Sequence, residues 1–240
     1  MDNPGYATLT RQTGLLREMQ VVANNIANMA SAGYRREGVV FSEFVQALDP
    51  RSESLSMATA RAGFTSDIQG ALTQTGRPLD LAVEGTGYFL IQTPEGQMLT
   101  RAGNFLRDAD GNVVTPDGMQ LLDSGGAAVF VPPDAAVISV ASDGTLSADG
   151  LPVAQIGLWT APGPGTTERR AGARFALDGA PVPAEEGSGR IVPGFLESSN
   201  VSPVAEVARM IEVQRTYELG QNFLDREDDR IRAVIRAFAR

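Results

Sequence analysis

The stretch SPVAEVARMIEVQRTYELGQNFLDREDDRIRAVIRAFAR (residues 202–240) decides the fold class. Ser202 and Pro203 make a helix start, because a serine hydroxyl caps free amides and proline suits the first helical position. Beyond them Met210, Tyr217, Leu224, Ile231 and Phe238 recur every seventh residue, with Val207 and Ile235 beside them. That repeat is a helix with one apolar seam. A helix over residues 203 to about 239 spans roughly 55 Å at about 1.5 Å per residue, longer than a small domain needs. Gln214, Gln221 and Asp228 stand at the intermediate positions, so the seam is a single interrupted row. Each large apolar side chain contributes on the order of 1.5–3 kcal/mol when buried, so such a seam needs a partner helix.

The other end of the chain supplies one. Asn3 and Pro4 form a second helix start, and Leu9, Leu16 and Ala23 alternate with Gln12, Met19 and Ile26 at heptad spacing. This helix is expected to stop at Gly33. The reading is an α+β chain whose N- and C-terminal helices pair as a coiled-coil-like hairpin over residues 1–34 and 200–240.

Residues 74–199 read as a central all-β domain. Leu79–Val83 and Gly87–Gln92 are strand-like and flank Glu84-Gly85-Thr86, read as a hairpin turn. Asp110-Gly111, Asp117-Gly118, Asp143-Gly144 and Asp149-Gly150 follow at close intervals, each with a glycine able to take positive φ. Residues 35–73 are expected to be an extended connector, with Phe41, Phe44, Val45 and Leu48 as a short amphipathic piece.

Composition closes off most chemistry. The chain has no Cys and no His, and all 20 basic residues are Arg. Imidazole triads, thiol catalysis and Schiff bases therefore have no residue to use, and zinc sites lose their main ligands. A net charge of −9 with dispersed Arg disfavours nucleic acid as a partner. No basic start followed by an apolar run suggests a cleaved signal peptide, and no stretch approaches the ~18 apolar residues of a membrane span.

Four local patterns resemble sites. Gly85-Thr86-Gly87 follows a strand, but Tyr88-Phe89-Leu90-Ile91 is a poor helix start, so a phosphate-binding turn is not expected. Asp108-Ala109-Asp110-Gly111-Asn112 opens like a calcium loop, yet Val113 and Met119 stand where the loop needs Gly and Glu. A β-turn is the expectation there. The carboxylates Asp80, Glu84, Asp143 and Asp178 lie in or beside turn-rich segments and suggest no hydrolytic pair. Asn24, Asn25 and Asn28 cluster near the end of the first helix, either as a solvated C-terminal turn or as amides between helices that select register.

Ala23–Asn28 and Ser31–Arg36 resemble the signature of the flagellar rod and hook protein family, with Ala32 where the family usually has Thr. Glu197–Pro203 and Met210–Tyr217 resemble the matching second half, while Gln74–Val83, Gly85–Phe89 and Thr100–Phe105 resemble the family's β domain. The resemblance covers nearly the whole chain. It implies a structural, non-enzymatic axial subunit of the periplasmic basal-body rod, exported unfolded by the flagellar type III apparatus without a cleaved signal. The length points to a proximal-rod member, with a distal-rod member as the alternative. Its implied partners are other rod subunits and copies of itself, with no cofactor. The implied assembly contacts are Leu9, Leu16, Met19, Asn24, Asn25, Ile26, Asn28, Met210, Ile211, Gln214, Tyr217, Leu224 and Ile231. From another class, the competing readings are a soluble β-rich binding module with a closed helical oligomer and a carboxylate-dependent hydrolase.

Overall fold

The computed structural model describes residues 3–46, 55–163, 165–185 and 187–238. The chain is α+β, with a helix near each end and strands between them, and it divides into two compact units. One comprises residues 1–29, 36–66 and 201–240, and the other residues 30–35 and 67–200.

In the first unit, helix α1 (Asn3–Ala27) runs antiparallel to helix α2 (Pro203–Phe238), since Gln12 meets Tyr217 while Asn25 meets Glu206. Strands β1 (Glu37–Gln46) and β2 (Leu55–Thr65) form an antiparallel hairpin, with a register shift between Val40 and Phe41. Residues 35–73, read from sequence as an extended connector, thus contain a paired β-ribbon. Leu48 lies outside the described residues.

The expected helix stop at Gly33 is corrected: α1 ends at Ala27. The asparagine cluster explains the earlier end. Asn28 turns its backbone N–H to the carbonyls of Asn24 and Asn25, and its side-chain amide donates to the Asn24 carbonyl at 2.9 Å. Local amide bonds of this kind satisfy the last carbonyls and compete with continuing the helix.

The second unit is built on a seven-stranded sheet whose centre is β5 (Phe89–Thr93) paired with β6 (Gly96–Thr100), numbered after β3 (Leu72–Gln74) and β4 (Leu81–Gly85). Because β5 is covered on both faces, its residues alternate between two clusters. Phe89 and Ile91 join Leu81, Val83, Phe105, Leu121 and Leu146, while Leu90 joins Leu99, Trp159 and Phe175.

The segment from Gly85 to Gly87 is not a hairpin turn. β4 pairs with Gly189–Pro193, whereas β5 pairs with β6 and Gln120–Leu121, so these glycines carry the chain from one sheet to another. Asp108 accepts from the backbone N–H groups of Asp110 and Asn112 and from the Asn112 side chain, which is the expected turn. Those bonds, the Asn112 amide foremost, hold its carboxyl below the ordinary range. Glu84 is ion-paired with Arg190, and Asp143 caps the N–H of Thr145.

A buried ion cluster lies inside this unit. Glu197 takes Arg101 at 3.2 Å and Arg35 at 3.7 Å, with all three side chains almost fully enclosed. Arg101 also donates to the carbonyls of Val83 and Gly85, and its guanidinium lies 5.1 Å from the centre of the Tyr88 ring. Burial, with the nearby Arg35 charge, pulls Arg101 below its ordinary value, while Glu197 opposes the shift. Gly33 donates its N–H to the Glu197 carbonyl at 2.7 Å, which holds the segment 30–35 in the unit.

Candidate assembly surface

The row of α1 that faces inward is Gln12, Leu15, Glu18, Val22 and Asn25, spaced as one face of a helix. Three of these five are polar, so α1 is held as much by hydrogen bonds as by apolar contact. On α2 the enclosed residues are Glu206 and Val213, with Met210, Tyr217 and Leu224 partly covered.

Each polar residue of the row has a partner. Gln12 donates to the Tyr217 carbonyl at 3.1 Å, and Gly220 leaves it the room to do so. Glu18 binds Arg209, which also reaches Glu212 at 2.8 Å; the Glu18 bond foremost raises the Arg209 value. Asn25 accepts from the Glu37 N–H and donates to the Glu37 carbonyl, both at 2.9 Å, as a neighbouring strand would. It also donates to Glu206 at 3.2 Å, and Arg36 pairs with the same carboxylate. One side chain thereby ties α1, the start of β1 and α2 together.

The expected contact positions fall into two groups. Asn25 is enclosed, and Met19, Ile26, Asn28, Met210, Tyr217 and Leu224 are partly covered within the chain. Leu9, Leu16, Asn24, Ile211, Gln214 and Ile231 are exposed. Sequence reading did not single out Glu18, Arg209 or Glu206. Their only signal was opposite charge at positions far apart in the chain, which acquires meaning once antiparallel pairing brings 18 to 209.

Replacing Asn25 by Ala removes hydrogen bonds of a fully buried amide and is expected to destabilise the helical unit by about 2–3 kcal/mol. Asn28→Ala removes a half-covered terminal bond and is expected to cost under about 1 kcal/mol. Equal midpoints for the two variants in denaturant titrations would contradict the role assigned to Asn25.

No helix among the described residues is long and apolar enough to cross a membrane, and no group of acidic side chains there is gathered to hold a metal ion.

Known proteins resemble this chain over most of its length. A family model described as the flagellar hook protein FlgE/F/G D1 domain matches residues 82–148. Another, described as the flagellar basal body rod FlgEFG protein C-terminal, matches residues 192–237. The chain is 34% identical over 220 residues to flagellar basal-body rod protein FlgF of Mesorhizobium japonicum, covering 91% of this chain and 90% of the relative. It is 34% identical over 245 residues to FlgF of Caulobacter vibrioides, covering 98% and 97%. With flagellar basal-body rod protein FlgG of Bacillus subtilis it shares 30% over 261 residues, covering 96% and 97%.

Proposed function

The chain belongs to the flagellar basal-body rod protein family and is a structural subunit of that rod, and we propose that it stands in the proximal rod and polymerises through its terminal helices. Supporting the proximal position is the similarity, over almost the full length of both chains, to relatives named FlgF. A distal position is the second reading, favoured by the FlgG relative of nearly equal coverage. Expression in strains lacking one or the other subunit separates them, because swimming should return only where the missing rod segment is the one this chain builds.

In this reading the terminal helices α1 and α2 carry assembly. The observation that carries it is the exposure of Leu9, Leu16, Ile211 and Ile231 on helices that already pair with each other within the chain. Other rod subunits and further copies of the chain are its partners; it catalyses nothing and uses no cofactor. The rod lies in the periplasm, and the subunit reaches it through the flagellar type III export apparatus.

The test is Leu224→Asp. A carboxylate on this partly covered position should cost about 2–3 kcal/mol of helix packing and abolish motility while export of the subunit continues. Arg226→Ala changes an exposed residue and should stay within about 0.5 kcal/mol, with swimming retained. Equal motility of the two variants would refute assembly through this helix.

A further inference from the structure

The unit built on the seven-stranded sheet is one continuous stretch, residues 67–200, joined by a single detached piece, residues 30–35. That piece is neither helix nor strand, and the chain on both sides of it belongs to the helical unit. It lies in the unit as a bound peptide would.

Three consecutive residues of the piece are held by three different devices. The Gly33 backbone N–H donates to the Glu197 carbonyl at 2.7 Å, and a Cβ there would stand 2.2 Å from the carbonyl carbon of Arg101, so only glycine fits. Tyr34 is 2% exposed; its carbonyl accepts from the Asn200 N–H at 3.3 Å, and the Arg169 guanidinium lies 4.6 Å from the centre of its ring. Arg35 is 5% exposed, its guanidinium divided between the Glu197 carboxylate and the Asp67 carbonyl, and its own carbonyl accepts from Arg169. Asp67, Arg101, Arg169, Glu197 and Asn200 all come from the continuous stretch. A missing side chain, an aromatic ring and a cation are thus each demanded, in that order, by space or by charge.

We infer that this unit carries a peptide-recognition site specific for a Gly-Tyr-Arg sequence, and that residues 33–35 of the same chain occupy it as a detachable strap. Main-chain hydrogen bonds give such a site affinity, and its contacts with successive side chains give it selectivity. The strap adds no strand to any sheet, and none of its residues belongs to the two apolar clusters on either side of β5. Its release therefore opens local bonds and leaves those clusters packed.

The full-length chain carrying Gly33→Ala, Tyr34→Ala and Arg35→Ala lacks the strap's own contacts. A fluorescein-labelled peptide of residues 30–37 is titrated against it, and against the unaltered chain, by fluorescence anisotropy. The altered chain should bind the peptide at least tenfold more tightly, because in the unaltered chain the strap already fills the site. A peptide with Tyr34→Ala should bind at least tenfold more weakly. An altered chain that still unfolds cooperatively in urea, read by Trp159 fluorescence, yet binds no peptide would overturn the site, as would equal affinity for the two peptides. Hydrogen exchange of the unaltered chain decides the matter even where the altered chain fails to fold. The amides of Gly33 and Asn200 should exchange together and at least tenfold faster than that of Leu122, which donates to the Leu90 carbonyl inside the sheet. A Gly33 amide as slow as Leu122 would make the strap an inseparable part of the core and overturn its release.

Discussion

Replacing Glu197 by Ala is expected to destabilise the β-rich unit by about 3–5 kcal/mol, because it leaves two enclosed guanidinium groups without their shared counter-charge. Arg35 and Arg101 lie on either side of this carboxylate, and neither can be rehydrated without opening the packing around Tyr88. The loss therefore exceeds that of an ordinary ion pair. Glu84→Ala is the comparison: its bond to Arg190 is exposed on both sides and is expected to contribute under about 1 kcal/mol. Urea titration of the two variants, followed by the fluorescence of Trp159 within the same unit, reads the difference directly. Similar midpoints would show that the buried cluster is not what holds the 30–35 segment and Glu197 in place. Replacing both arginines and the glutamate together by apolar residues should recover part of the stability, since it is the unpaired charge that costs most.

The second large effect is expected at Gly33. Its φ is +65°, and a Cβ there would stand 2.2 Å from the backbone carbonyl carbon of Arg101. Gly33→Ala thus meets two separate penalties. The left-handed conformation costs roughly 1–2 kcal/mol for a residue with a side chain, and the collision is with backbone, which has no rotamer to change. A total of several kcal/mol follows, with the segment 30–35 displaced from Glu197. Gly118→Ala isolates the first penalty, because Gly118 has φ +83° and open space where its Cβ would go. It should cost only about 1–2 kcal/mol. If thermal unfolding places both variants at the same midpoint, the close approach to Arg101 is not tight and the argument fails. The expected order, with Gly33→Ala far below Gly118→Ala, would also predict poor incorporation of the Gly33 variant into rods.

Sequence alone determined the α+β class, the helix over the C-terminal stretch and the β character of the middle, because these depend on short-range spacing. Heptad recurrence marks α2, whose described span Pro203–Phe238 matches the reading closely, and Asp-Gly pairs mark the turns. The motif residues that carried the family resemblance were equally legible, since identity at matched positions needs no geometry. The tertiary structure decided which face of α1 turns inward. Heptad spacing favoured Leu9, Gln12, Leu16, Met19, Ala23 and Ile26, yet of these only Gln12 stands in the enclosed row of Gln12, Leu15, Glu18, Val22 and Asn25. Apolar periodicity cannot identify such a row, because three of its members are buried through hydrogen bonds whose partners lie elsewhere in the chain. The true end of α1 is set locally, by Asn28 bonding back to Asn24 ahead of Gly33, whereas the second role of Gly33 depends on a residue far along the chain. A glycine reads from sequence as a place where a helix can stop. That its hydrogen atom is needed to let another backbone pass is a fact of close packing, and it is fixed only when residues 33 and 101 are brought together.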